Sequence, residues 1–358
     1  MSFLNNVIAG IDNTHVASSG ENSSEFTGTI DTGSYILNAA MSGSLYGGVP
    51  NNKVVAFAGE SATGKTFFVL GVIKQFLDDN PDGGVIYFDT EAAVTKNMMT
   101  TRGIDVDRVV ISEPQSIEEF RTNAVRMLDS YNDSGEQPPM MMVLDSLGML
   151  SSIKELEDTA SGKQARDMTK AQLLRGTFRV LSLKLAKANV PLLVTNHVYD
   201  VVGAYIPTKE ISGGSGLKYA ASSIAMLSKK KDKDGTDVIG NIIKVTMHKS
   251  RFTKENKKVE VKLSYDTGLD RYYGLLDLAE KYDIIKKVST RYELPDGTKV
   301  FGKNINENPE KYFTDEIMEQ LEVAAHKEFM YGADEDEPEI IADGTIFPDE
   351  IEEKVTTQ

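Results

Sequence analysis

Residues 53–66 read KVVAFAGESATGKT, and the rest of the chain is best understood outward from them. Val54, Val55, Ala56 and Phe57 form the short apolar run that a buried parallel strand requires. Gly59-Glu60-Ser61-Ala62-Thr63-Gly64-Lys65-Thr66 follows at once and fits G-x-x-x-x-G-K-[ST]; an apolar, helix-like segment then runs to Leu77. Gly59 and Gly64 let the backbone turn so that successive N–H groups point inward at phosphate oxygens. The positive end of the next helix favours the same anion. In this reading Lys65 reaches the β- and γ-phosphates and the Thr66 hydroxyl ligates Mg²⁺. A chance match is the bland alternative, and the strand–loop–helix context weighs against it.

Downstream, Gly84–Asp89 and Val109–Ser112 read as further buried strands, and Ser116 with Glu119 as the capping box of a helix to Leu128. Met140–Asp145 is an apolar run closing on an acid, Ala165–Ala188 has helical spacing, and Pro191–Asn196 is another buried strand. A Gly-punctuated loop is expected from Val198 to Gly216, then β-rich segments at Ser222–Ser228, Asn241–Met247 and Lys258–Ser264. The strand–helix alternation predicts an α/β fold: a mainly parallel sheet with helices on both faces and an antiparallel extension. The expected divisions are an N-terminal arm over 1–30, with one short helix near Phe3–Ile11, a core over 31–275, a small C-terminal part over 276–331, and an acidic disordered tail over 332–358.

The 358 residues carry a net charge of −15, which at first argues against nucleic acid. Ten acidic residues against one lysine in 332–358 hold −9 of it, so a local basic groove is not excluded. There is no Cys, hence no disulfide or thiolate metal site, and no run approaches the ~20 apolar residues of a membrane helix. The start, MSFLNNVIAGIDN, lacks a secretory pattern; a cytoplasmic protein is expected.

Asp145 ends a strand where a phosphate-loop enzyme needs a carboxylate for Mg²⁺; alone, such an Asp is usually a turn residue. Glu91 lies just beyond another strand end and is placed to take a proton from water attacking the γ-phosphate, against the plainer reading of a solvated loop acid. His197, after Asn196, is placed to sense the γ-phosphate. Arg175 and Arg179 are four apart, on one helix face, and are candidates for nucleic-acid phosphates. Lys229–Lys233 reads as a hairpin tip.

Together these motifs resemble the RecA-type strand-exchange recombinases, especially the UvsX-type recombinases of tailed phages, over about residues 30–280. GGVPNNKVVAFAGESATGKT is similar to the family's entry to its ATP loop, YFDTEAAVT to its catalytic-Glu segment, MMVLDSLGML to its Mg²⁺ strand, and LLVTNH to its γ-phosphate sensor strand. ISGGSGLKYAAS resembles the end of its second DNA-binding loop, with Gly213, Gly214 and Ser215 at backbone-contacting positions; the first loop falls at about Glu157–Ala165. VTMHKSRFT resembles the segment reaching the next subunit's ATP, with Lys249 as the matching lysine and Arg251 beside it; Met247 stands where cellular RecA proteins have a second lysine. Met98 takes the position of the adenine-stacking aromatic, and Tyr265 joins the nucleotide set.

The resemblance implies ATP and Mg²⁺ as cofactors, single-stranded and homologous duplex DNA as partners, a helical homo-oligomeric filament, DNA-stimulated ATP hydrolysis and strand exchange. It also implies helper proteins, namely a recombination mediator and a single-strand-binding protein. A hexameric helicase with the same ATPase core, and a nucleotide-binding mediator, are the alternatives. A metabolite kinase would carry an Arg-rich lid, which is not seen.

Overall fold

The computed structural model describes residues 28–162, 169–200, 209–234, 237–264, 268–333, 339–340 and 346–347. The expected N-terminal helix near Phe3–Ile11, Tyr265 and most of the acidic tail lie outside them. Ten strands build the central sheet: β1 (Val54–Gly59), β2 (Gly84–Asp89), β3 (Val109–Ser112), β4 (Met140–Asp145), β5 (Leu192–Asp200), β6 (Lys209–Ile211), β7 (Ser223–Asp234), β8 (Asp237–Ser250), β9 (Lys258–Ser264) and β10 (Gly268–Leu269). Their order is β10-β9-β8-β7-β1-β5-β4-β2-β3, with β6 antiparallel on the end of β5. The six strands from β7 to β3 are mutually parallel, and β8, β9 and β10 add antiparallel.

Strand periodicity divides the core in two. Along β1, Val55 and Phe57 enter one apolar cluster while Val54, Ala56 and Ala58 enter the other; β4 does the same with Met141 and Val143 against Met142 and Leu144. The first face is covered by α1 (Tyr35–Ser42) and α2 (Lys65–Asp79). The second is covered by α4 (Ile117–Asp133) and α6 (Lys170–Ala188), which follow the shorter α3 (Lys96–Thr100) and α5 (Ile153–Ala160) and precede α7 (Ser215–Ala220). Leu174, Phe178, Leu181 and Leu185 give α6 its buried stripe at helical spacing. Ser116 caps α4 as expected, its hydroxyl accepting from Glu119 N at 3.1 Å.

After the central sheet come α8 (Leu275–Lys281), a three-stranded antiparallel sheet of β11 (Lys286–Val288), β12 (Arg291–Glu293) and β13 (Lys299–Val300), then α9 (Gly302–Glu307), α10 (Pro309–Tyr312) and α11 (Asp315–Phe329), and finally a short antiparallel pair, Glu339–Ile340 with Ile346–Phe347. Ile317, Leu321, Ala325 and Phe329 of α11 share the first apolar cluster with α1 and α2. The buried Glu322 ties this helix to the entry of the core by accepting from Leu45 N at 2.7 Å.

Several expectations need correction. Lys229–Lys231 are not a hairpin tip: they lie within β7, opposite Asn241–Ile243, and the pairing runs on to Asp234 opposite Asp237. Ion pairs that reach over the intervening β8 to β9 (Lys230 with Glu260 at 3.0 Å, Lys262 with Asp232 at 3.0 Å) let a charged stretch continue the ladder. Ser223–Leu227 is parallel to β1, so only the two segments after it form the antiparallel extension. The stretch from Val198 is in part a β5–β6 hairpin arm, with Val198 opposite Ile211 and Asp200 opposite Lys209. Glu157–Ala160, expected in a DNA loop, is the last turn of α5, which Ser152 caps by accepting from Glu155 N at 3.0 Å.

Candidate nucleotide site

Parallel register sets the ends of β1, β2, β4 and β5 along one edge. Gly59 is opposite His197, and Asp89 is opposite Asp145. The loop Gly59–Thr66 leaves β1 there and returns as α2. Its curvature needs two left-handed residues, Ala62 (φ 57°) and Gly64 (φ 94°). A Cβ on Gly59 would stand 2.7 Å from Thr63 Oγ1 and 2.8 Å from the Leu227 carbonyl, so no larger residue fits. Lys65 is buried, with Nζ 3.2 Å from the Gly59 carbonyl and 2.9 Å from that of Glu60; burial pushes its pKa down against the opposing pull of Glu91 and Asp145. Lysine heads grip the outside of the loop: Lys229 donates to the Ala62 carbonyl and Lys209 pairs with the Glu60 carboxylate. Ser61 lies within the loop on the same rim.

Asp145, at the end of β4, accepts from three hydroxyls: Thr66 at 2.8 Å, Tyr87 at 2.6 Å, and Thr195. Tyr87 is fully buried; burial first, then the charge of Asp145, pushes its pKa well up, so it stays a donor. Glu91 is presented by Asp89, whose buried carboxylate accepts from the backbone N–H groups of Glu91 (3.0 Å), Ala93 (3.4 Å) and Val94 (3.1 Å). Glu91 Oε1 accepts from Ser146 Oγ at 2.6 Å and stands 2.9 Å from His197 Nε2, while His197 Nδ1 is 3.5 Å from Lys65 Nζ. Burial works against the Glu91 charge, but Ser146, His197 and Lys65 outweigh it and hold its carboxyl below the usual range. The fold thus brings Lys65, Thr66, Glu91, Asp145 and His197 together. Asp89, Tyr87, Thr90 and Thr195, absent from the sequence reading, hold them there.

The residues expected at nucleic acid gather one step away. Asn196 Nδ2 donates to the Ser212 carbonyl at 2.8 Å and Ser212 N to that of His197 at 2.9 Å, so the end of β5 is fastened to the start of the Gly213–Ser215 segment. Gly213 and Gly214 both have positive φ and lie against Leu174 and Ala171 of α6. A Cβ on Gly216 would stand 3.0 Å from Arg175 N. Arg175 and Arg179 are exposed on α6, the second one turn beyond the first.

Other expected nucleotide residues lie on other elements. Met98 sits on α3, partly buried against the apolar core. Lys249 and Arg251 lie toward the other edge of the sheet, Lys249 level with Ile224, whereas Gly59 is level with Leu227. Lys249 Nζ donates to the carbonyls of Lys218 (2.6 Å) and Ala221 (2.7 Å), and Arg251 to that of Tyr219 at 3.4 Å.

A strand–phosphate-loop–helix unit on a parallel sheet, with a strand-final Asp bonded to the loop's Thr, defines a P-loop NTPase of RecA-like fold. The profile of the RecA N-terminal domain matches residues 4–270, and the chain belongs to that family. It is 32% identical over 252 residues to the recombination and repair protein of Enterobacteria phage T4, covering 70% of this chain and 63% of the phage protein. It is 29% identical over 324 residues to protein RecA of Levilactobacillus brevis, covering 89% and 81%, and 30% identical over 287 residues to that of Francisella philomiragia, covering 77% and 74%. Thus the chain spans less than two thirds of the length of the phage relative.

Proposed function

We propose that this chain is a DNA-dependent ATPase of homologous recombination and repair, which coats single-stranded DNA as a helical filament and exchanges strands with a homologous duplex. The observation that carries the reading is the continuity from Lys65 through His197 to the fastened Gly213–Ser215 segment, which joins a nucleotide site to a nucleic-acid site. Membership of the RecA family, and the likeness to the phage recombination and repair protein, support it.

ATP lies along Gly59–Thr66, with backbone N–H groups and Lys65 on its phosphates. Thr66 and Asp145 fit Mg²⁺: they offer one hydroxyl and one carboxylate, and no larger cluster of His, Asp or Glu occurs among the described residues, which leaves the other positions to phosphate and water. The ion would supply neutralisation of phosphate charge. Glu91 accepts the proton of the attacking water. His197 gives up its Glu91 contact for the γ-phosphate and pulls on Ser212 through β5. Gly213, Gly214 and Ser215, with Arg175 and Arg179, hold the sugar–phosphate backbone, and base pairing supplies sequence recognition. Lys249 and Arg251 serve the nucleotide of the adjoining subunit, and Met98 and Tyr265 flank the base. The division into an arm, a core over 31–275, a C-terminal part over 276–331 and an acidic tail belongs to the same reading, as do a cytoplasmic site of action and helper proteins.

The test is ATP hydrolysis with and without single-stranded DNA, with the reaction imaged for filaments. Stimulation together with helical fibres is expected, and Lys65→Ala is expected to abolish turnover. Strand unwinding by rings, or wild-type turnover in Lys65→Ala, would overturn the reading.

A further inference from the structure

Besides His197, a second side chain runs from the β5–β6 hairpin to the nucleotide loop. Lys209 on β6 places Nζ against Glu60 Oε1, bridging residues 149 apart in sequence. Four residues after Lys209 the chain enters Gly213–Ser215. Glu60 therefore makes two contacts at once: its carbonyl accepts from Lys65 at 2.9 Å while its carboxylate faces the hairpin. The bond and charge of Lys209 hold that carboxyl below its usual range, so an anion stands on the rim of the loop. A bound triphosphate adds several negative charges beside it, within the ~8 Å screening length of physiological salt. The attraction on the Lys209 ammonium then rises, and Lys65 is drawn off the Glu60 carbonyl toward phosphate.

We propose that Lys209 is a positioning residue that, through its ion pair with Glu60, couples nucleotide occupancy of the Gly59–Thr66 loop to the placement of the Gly213–Ser215 segment. This rests on the reading above that the loop takes ATP and the segment takes DNA. Lys209 and Glu60 keep 45% and 58% of their side-chain surface exposed, so the effect is modest, roughly two- to fivefold. It weakens with salt.

The experiment measures affinity for a fluorescent single-stranded oligonucleotide, with and without a slowly hydrolysed ATP analogue, at one fixed salt concentration. It uses the full chain, Lys209→Met and Lys209→Arg, with DNA-free ATP turnover measured alongside. Lys209→Met is expected to cut the nucleotide-induced gain in DNA affinity roughly two- to fivefold. Lys209→Arg restores the gain and reverses any loss of DNA-free turnover. An undiminished gain in Lys209→Met overturns the proposal. An equal loss with and without nucleotide also overturns it and makes Lys209 an ordinary backbone contact. Failure of Lys209→Arg to rescue assigns the effect to packing. Absence of any nucleotide-dependent DNA binding in the wild-type chain would instead overturn the underlying reading, and this inference with it.

Discussion

His197 Nε2 stands 2.9 Å from Glu91 Oε1 while its other ring nitrogen faces Lys65 Nζ at 3.5 Å, so one imidazole joins the general-base candidate to the phosphate-loop lysine. With His197→Ala, single-stranded DNA stimulation of hydrolysis is expected to fall about tenfold, within the usual span of coupling energies. Glu91 also loses a group that lowers its pKa. The acid limb of kcat/KM, which reports the free enzyme, therefore moves to higher pH; an unmoved limb would dissociate Glu91 from the rate.

Asp145→Asn keeps the size of the side chain but removes the charge and one of the two oxygens that accept from the hydroxyls of Thr66, Tyr87 and Thr195. A Mg²⁺ titration of ATPase rate should show half-saturation raised about tenfold and maximal rate lowered roughly a hundredfold.

Arg179→Ala is expected to weaken single-stranded DNA binding while nucleotide binding is retained. The slope of log affinity against log salt should become shallower by about 0.7, the value for one phosphate contact on a single strand. Binding isotherms at three salt concentrations decide it.

Glu328 on α11 accepts from Lys257 at 2.8 Å, Tyr282 Oη at 3.0 Å, and Lys281. Burial opposes its charge, but those three partners prevail and hold its folded pKa below 4.5. Its stabilisation is therefore complete above that value and is lost as pH falls through the folded pKa. Glu328→Gln should cost about 1 kcal/mol at pH 7, with melting curves converging on wild type as pH falls below the usual carboxylate range.

Gly216→Val forces α7 away from Arg175, whose backbone N would be 3.0 Å from the new Cβ. Overpacking of this kind costs about 1–3 kcal/mol and should appear as a lower Tm together with weaker DNA binding.

The phosphate loop and Asp145 were legible in the sequence because local chemistry dictates them. Gly59, Gly64 and Asp145 sit where backbone geometry and charge demand those residue types. Thr195 and Tyr87 were not legible, since a hydroxyl in an apolar strand looks like any core position until register sets it beside Asp145, and Thr90 only meets its partner, the Ser146 backbone, once two strand ends are side by side. Asp89 was passed over for a similar reason: its buried carboxylate serves backbone N–H groups, a role no spacing reveals. The charged run at Lys229–Lys231 misled because its partners, Glu260 among them, come from a strand some thirty residues away.

The separation of Lys249 from Gly59 across the sheet has an architectural outcome. A chain that offers its proposed triphosphate cradle at one pole, and Lys249 and Arg251 on backbone carbonyls toward the other, brings the two together only between copies. In the filament proposed above, copies would do so by stacking head to tail, a heterologous contact that runs on indefinitely unless its rotation closes. Such a stack has a direction, and its first and last members present chemically different faces to whatever adds or departs.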